Sequence, residues 1–503
     1  MAVSRGLFLD PRAARQRGAR RLVAARSVLS PTEMHPRRLG RVFLRSCLAI
    51  ACACAAIACS SGDSAPGAAA SPDEAGVGET GDGGSFPVAD AAPSADAGAA
   101  HDSGRALDAG AAPGDAASHA DASDAGGGVV GPTGLVHPGI LVNHGMLDFV
   151  KTKIAAGADP WKSALAAASS NSFGSLTYTP HPWANVDCGP SSNPDDGCTD
   201  EKNDADAAFT QALLWYHTGD TRHAAVAIQI MNAWSSTLQQ HTGSNAPLQS
   251  AWAAEVFPRA AEIIRYTAAG WSDTDAQQFG TMLSKIYLPE VVNGSTSNGN
   301  WETSMIEATM NIAVFVDDMT TFQKAVAMWR ARTPAYVYLT SDGPLPVQPP
   351  HQTLSTSALE SFWYEPTAFV DGITQESCRD LTGSGTQGFG HAQYGVAAII
   401  NAAETARIQG VDLFSSEEKR IVAMLELHAK YLNGASIGSL CKTAIAAVGP
   451  DPMWEIGHNA YANVLGQSLP NTSTLVDTIR PTGATHHMVW ETLTHGDIGS
   501  AGL

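Results

Sequence analysis

Three observations predict a mainly helical fold of antiparallel hairpins. Apolar residues recur at helical spacing through most of the chain after Asn143, Gly with Asp or Ser punctuates the segments, and alternating strand patterns are scarce. The helical stretches are 207–217, 224–238, 250–266, 274–291, 301–316, 321–330, 394–409 and 415–432. Between the first two, Gly219 supplies a stop and Asp220 a cap. Gly270 with Ser272 and Asp273 does the same before 274–291. The best strand candidate, 335–339, is short, and no long β-rich tail follows. Inner faces mix aromatic with small residues, as around Trp215, Tyr216 and Trp234. Five or six helical pairs in series, none able to bury its apolar stripe alone, favour a curved solenoid or closed α/α toroid over a compact bundle.

The first quarter of the chain has a different character. Residues 60–132 are dominated by Ala, Gly, Asp, Ser and Pro, with too little apolar area to offset ordering entropy, and are expected to be a disordered acidic linker. Before them, Arg37, Arg38, Arg41 and Arg45 precede a short apolar run at 47–58, the pattern of a secretion signal with Met34 as the start. The run is too short for a membrane span of about 20 residues. Its ending at Ala56-Ile-Ala-Cys59, before Ser60 and Ser61, resembles a bacterial lipoprotein signal, which implies lipidation of Cys59; an ordinary cleaved signal is the alternative. The expected organisation is therefore a signal region at 1–59, a linker at 60–132 and one folded domain at 133–503, exported to the periplasm or cell surface.

Charge and cysteines agree with export. The formal charge is −19, and residues 1–59 carry eleven Arg against Asp10 and Glu33, so the remainder stands at −28. Such acidity excludes a nucleic-acid partner, which needs a basic footprint. It predicts marked salt dependence if the substrate is a polyanion, although charges beyond roughly 8–10 Å are largely screened. Beyond the signal only Cys188, Cys198, Cys378 and Cys441 remain. Cys188 pairs locally with Cys198, and Cys378 then joins Cys441. A four-cysteine zinc site is the rival, but no CxxC spacing supports it.

Four constellations carry candidate chemistry. Asn298 and Asn300, with Trp301, open the 301–316 helix, where backbone N–H groups and the dipole favour an anion; one of the two is expected to cap the helix and the other to be free. Arg379, Asp380, His391 and Tyr394 combine a carboxylate-binding fork with two proton-moving groups; an ion pair of Arg379 with Asp380 or Glu376 is the structural alternative. Trp454, His458 and Tyr461 share a helix face that suits either a sugar ring or the core, with Asn459 next in sequence to His458. His181, Trp183 and Asn185, followed by Asn203 and Asp204, form a polar-aromatic surface near the first cysteine pair. Nucleotide-binding, GxSxG and HExxH signatures are missing. His486, His487 and His495 show no readable ligand set and are expected to be solvated tail histidines, so no metal or cofactor is called.

The segments Asn298-Gly-Asn-Trp301, Glu376-Ser-Cys-Arg-Asp380, Gly390-His-Ala-Gln-Tyr394, 313–318 and 403–413 together resemble the alginate lyase superfamily, over a region from about His137 to His495. The resemblance implies an incomplete or closed (α/α) toroid that cleaves a uronic-acid polysaccharide by β-elimination without a cofactor. Asn300 (or Asn298) and Arg379 would neutralise the C6 carboxylate, which stabilises the enolate-like intermediate. His391 or Tyr394 would take the C5 proton, and Tyr394 would protonate the leaving O4. Glu376, His181, Trp183, His458, Asn459 and Tyr461 are the further substrate-binding candidates. The chain departs from the family pattern where residues 381–389 separate Arg-Asp from His391, and where Trp301 stands in place of a histidine. An acidic polysaccharide partner and a monomer are expected. The competing classes are an α/α glycoside hydrolase using two of Glu307, Glu376 and Asp380, and a lipoprotein that binds glycans without turnover.

Overall fold

The helical segments form because long apolar stretches rich in Ala carry caps at their ends. The computed structural model describes residues 128–379, 389–436, 440–442 and 449–502. The chain divides into two units, Met1–Ala68 and Ala69–Leu503, and every described residue falls in the second. Cys59, Met34 and Asp380 therefore lie outside the described residues.

The helices are α1 (His144–Ala155), α2 (Trp161–Ser170), α3 (Cys198–Thr218), α4 (Thr221–Thr237), α5 (Ala246–Tyr266), α6 (Asp273–Met282), α7 (Leu288–Val291), α8 (Gly299–Phe315), α9 (Met319–Tyr336), α10 (Thr356–Phe362), α11 (Gly390–Ile408), α12 (Glu418–Leu432), α13 (Glu455–His458), α14 (Pro470–Ile479) and α15 (Glu491–His495). The expected punctuation holds. Gly219 closes α3 at φ 72°, Asp220 accepts the Arg222 N–H at the start of α4, and Ser272 accepts the Asp275 N–H at the start of α6. The strand expected at 335–339 is an error of periodicity: α9 continues to Tyr336, and only Val337 forms a bridge, to Thr374.

Inner and outer helices alternate along the chain. α3 packs on α5, α5 on α8, α8 on α11, α11 on α13, α13 on α15, α15 on α1 and α1 back on α3, so the inner helices of this unit return on themselves. α4 backs α3, α9 backs α8, and α14 backs α13. This is a closed (α/α) toroid. Inner helices are buried nearly all round, as α8 is at every residue except Trp301, whereas α4 and α12 keep one polar face.

Strands are short. β1 (Val129–Val130) pairs with β2 (Val136–His137), a few residues ahead of the expected domain start. β3 (Asn185–Cys188) lies between antiparallel β4 (Asp195–Asp196) and parallel β5 (Gln240–Thr242). β6 (Ala484–Thr485) and β7 (Met488–Val489) make a hairpin. Both expected disulfides are present, Cys188–Cys198 and Cys378–Cys441.

Candidate active site

The segment from Thr374 to Arg379 is held from three sides. Its backbone bonds Tyr336 through the Gln375 N–H (2.8 Å), and the Cys378–Cys441 disulfide ties it to the loop after α12. Ser377 Oγ accepts the Thr374 N–H (2.8 Å) and lies 2.9 Å from His428 Nε2. His428 Nδ1 faces the Met424 carbonyl at 2.8 Å, so Nδ1 carries the proton and Nε2 accepts from Ser377.

This rigid segment delivers two side chains to the start of α8. Gln375 Oε1 accepts the Gly299 N–H (2.5 Å), and Glu376 Oε2 accepts the Asn300 N–H (2.8 Å). Glu376 Oε2 also accepts the Tyr336 hydroxyl (3.1 Å), while its Oε1 takes Arg379 Nη1 (3.0 Å). The positive end of the α8 dipole is thus filled by a protein carboxylate rather than left for a ligand. Two glycines make room for this hub. A Cβ on Gly299 would sit 2.0 Å from the Tyr336 ring, and one on Gly395 of α11 would sit 2.2 Å from its hydroxyl oxygen.

The capping expectation fails for the cap and holds for the free asparagine. Asn298 occupies the cap position but makes no capping bond; its Oδ1 accepts the Tyr364 hydroxyl (2.8 Å) instead. Asn300 lies inside the helix, 0 % exposed, with neither amide atom partnered. Glu376, equally buried, has both carboxylate oxygens engaged by protein donors and serves as a positioning group, not the sugar contact expected of it. Arg379 is 11 % exposed and lies over the Tyr364 ring at 5.6 Å, so its ion pair with Glu376 coexists with some access to solvent.

α11 begins after Phe389, whose φ of 76° turns the chain into the helix. Its first turn carries His391 and Tyr394, with ring centroids 6.2 Å apart. Burial, and then the charge of Arg379, push His391 down to about 3, so the ring is neutral; its Nδ1 has no partner. Burial, and then Asp451, push Tyr394 up to about 12, so it is held as a phenol. The structure therefore brings Asn300, Glu376 and Arg379 together, sets His391 within the field of Arg379, and places Tyr394 edge-on to His391.

The remaining predicted residues lie apart from this hub or inside the core. Tyr461 is fully buried and donates to the Phe414 carbonyl (3.0 Å); Trp454 is buried with it. Asn459 Nδ2 donates to the Gly499 carbonyl (3.2 Å), and His458 Nε2 meets Ser473 Oγ at 3.0 Å. That aromatic stripe packs the core; it lines no groove. Trp183 is 40 % exposed, with Nε1 donating to Asp200 (2.8 Å), and His181 is exposed while its N–H is held by Asp204 (2.7 Å). Asp204 and Asn185 are structural: Asp204 also takes Tyr178 and Trp234, and Asn185 pairs with Thr242. The tail histidines are not solvated. His487 and His495 are fully buried and His486 is packed on Trp252. Glu307 pairs with Arg259 in the core.

Sequence reasoning missed the groups around Tyr394. Trp252 of α5 stands edge-on to Tyr394 (6.2 Å) and to His486 (4.8 Å), and Lys202 of α3 lies 4.9 Å over the Trp252 ring. His486 is 5.0 Å from Tyr394. A signal existed: Trp252, Glu255, Arg259 and Glu262 run along one face of an otherwise apolar helix.

Residues 181–437 match the family model described as alginate lyase. No curated protein sequence matches the chain. Similar solved structures include alginate lyase A1-III from Sphingomonas species A1, at 14 % identity and TM-score 0.49 over 71 % of this chain and 99 % of that one. An alginate lyase from Bacteroides ovatus is similar at 12 % identity and TM-score 0.49, over 72 % and 99 %.

Proposed function

The chain belongs to the alginate lyase family, and from that premise we propose that it cleaves an alginate-like or glucuronan-like polymer by β-elimination at the Asn300–Arg379–His391–Tyr394 constellation. It is a polysaccharide lyase acting on uronic polymers. One observation supports these residue roles above the others: Glu376 holds the Asn300 backbone on one carboxylate oxygen and the Arg379 guanidinium on the other. One carboxylate thereby ties the backbone of Asn300 to the guanidinium of Arg379, as an amide and a cation meant for one sugar acid group require.

The chemistry follows from that placement. Arg379 pairs with the C6 carboxylate, and the buried, unpartnered amide of Asn300 donates to it; satisfying that amide offsets a desolvation penalty carried in the free protein. With the carboxylate neutralised, charge developing at C5 is delocalised onto it. Neutral His391 takes the C5 proton. Its pKa rises on binding, because the substrate carboxylate opposes the Arg379 charge that depresses it. The C5–H electron pair forms the C4=C5 bond, the C4–O4 bond breaks, and the Tyr394 phenol gives its proton to O4. Trp252 beside Tyr394, with Lys202 over the Trp252 ring, suits the neighbouring sugar.

The sequence signals for export and for a lipid anchor at Cys59 complete the proposal, with a monomeric domain working on polymer outside the cytoplasm. Two disulfides suit that oxidising compartment.

The decisive experiment incubates the purified chain with mannuronate-rich, guluronate-rich and glucuronate polymers. Ultraviolet absorbance from the conjugated C4–C5 product is expected with at least one. New reducing ends without that absorbance would instead mean hydrolysis. Tyr394→Phe should lower turnover by roughly 10²–10⁴-fold while oligosaccharide binding persists.

A further inference from the structure

Behind Tyr394, at the contact of α5, α8 and the β6–β7 turn, three side chains of metal-ligand type face one another. Glu255, Glu307 and His487 are fully buried, and one donor atom of each lies within 4.8 Å of the others. Among the described residues, no side-chain hydrogen bond joins any of the three to Glu376 or Arg379, and the elimination chemistry leaves all three unused.

The tautomer of His487 is fixed by its partner. Nε2 lies 3.1 Å from the Tyr394 carbonyl, which can only accept, so Nε2 carries the proton and Nδ1 presents a lone pair. That lone pair faces Glu255 Oε2 at 3.1 Å. Two acceptors at this separation repel unless a proton or a cation lies between them. Both oxygens of Glu255, Nδ1 of His487 and the buried Ser304 hydroxyl lack a partner in hydrogen-bond geometry, and Ser304 lies near enough to Glu255 to donate to it on rotating its hydroxyl. Glu307, by contrast, is oriented by Arg259, by Asn401 Nδ2 (3.3 Å) and by Asn311 Nδ2 (3.4 Å). Arg259 also donates to the His487 carbonyl (2.8 Å), and its one positive charge faces two carboxylates.

We propose that Glu255, Glu307 and His487 bind one divalent transition-metal ion of the zinc or manganese class, with Ser304 or water as a further ligand. Two carboxylates with one imidazole form a borderline N/O donor set that suits such ions. The surroundings have the form metal sites require: the imidazole N–H is held by a backbone carbonyl, and one carboxylate is held by Arg and Asn. Ligand bonds of about 2.0–2.2 Å put donors roughly 3.4 Å apart, a value inside the present range: the Glu255–His487 pair at 3.1 Å opens slightly, and the wider separations, up to 4.8 Å, close. The ion joins the C-terminal hairpin to α5 and α8 and, through His487, fixes the backbone of Tyr394. It is a positioning element for the phenol. The rival occupant is a proton shared by Glu255 and His487.

The test uses the full chain purified without chelator. Elemental analysis should find about one equivalent of zinc or manganese, and chelation should lower the Tm by roughly 5 °C, restored by Zn²⁺ or Mn²⁺ alone. Glu255→Gln and His487→Gln, confirmed folded by circular dichroism, should each weaken binding more than the ~10–100-fold expected from losing an outer partner. His181→Ala, on the surface, should leave the stoichiometry intact. Wild-type protein that binds neither ion and shows no thermal shift overturns the proposal in favour of the shared proton. Binding that survives in both folded variants overturns it too. If either variant fails to fold, the wild-type metal content and its chelator-sensitive Tm decide. Chelation should also lower kcat for elimination with KM unchanged, as a positioning role for Tyr394 requires, whereas a chain that gives no elimination product at any metal content fails the proposed function and leaves the metal measurements standing.

Discussion

Glu376 and Glu255 are two carboxylates buried to the same degree beside the same helix, and their surroundings are opposite. Glu376 receives the Asn300 N–H, the Tyr336 hydroxyl and the Arg379 guanidinium. Glu255 receives no donor and faces a histidine lone pair. Burial, and then the charge of Glu307, push Glu255 well above the usual carboxylate range. Equal burial therefore says nothing of role. A carboxylate whose oxygens are all engaged is a fixed strut, whereas one with empty lone pairs is a place for a proton or a ligand.

The largest effect that separates the two comes from the same isosteric change at each. Glu376→Gln removes the counter-charge of a nearly buried Arg379, and breaking such a pair costs about 3–5 kcal/mol. Activity should fall with it. Glu255→Gln, measured in chelated protein, replaces a neutral acid by a neutral amide and should change stability by less than about 1 kcal/mol. Urea titration of both variants checks the contrast, and equal costs would erase it.

The disulfides sharpen the comparison next. Cys378–Cys441 spans 63 residues and anchors the segment bearing Glu376 and Arg379, while Cys188–Cys198 spans 10. On loop-closure entropy, removing the first with serines costs about 4 kcal/mol and removing the second about 3. Only the first should also depress kcat, because only the first tethers the hub.

A pH dependence belongs to the Glu376 side as well. Burial pushes His428 down to about 4 from 6.5, and its neutral Nε2 accepts from Ser377. Below pH 6.5 the unfolded chain binds a proton that the folded chain refuses. The contribution of His428 is therefore complete above pH 6.5 and declines as pH falls towards 4, by up to about 3 kcal/mol. His428→Gln should flatten that part of the stability curve.

Which parts of this were legible in the sequence follows from the range of the forces involved. Helices such as α4 and α6 could be read because spacing and caps are local: Asp220 and Ser272 act where they stand. Arg379, His391 and Tyr394 could be grouped because they fall within one short stretch. The Asn298 cap failed because Gln375 and Glu376, distant in sequence, supply the acceptors. The 335–339 strand failed because tertiary packing carried α9 through β-branched and aromatic residues. Trp252, Glu255 and His487 were invisible because only closure of the helical ring brings α5 against the C-terminal hairpin.

The smallest effect concerns the two asparagines that flank Gly299. With the α8 N-terminus capped from outside, Asn298→Ala removes one hydrogen bond, to Tyr364, and should cost about 1 kcal/mol, with the ring of Tyr364 still over Arg379. Asn300→Ala removes an amide without partners and should leave stability unchanged or slightly raised, while kcat/KM falls. The pair thus separates a structural asparagine from a functional one by opposite signs in two measurements. If Asn298→Ala cost nearer the ~2 kcal/mol of a lost cap, Gln375 and Glu376 would not be the groups that terminate α8.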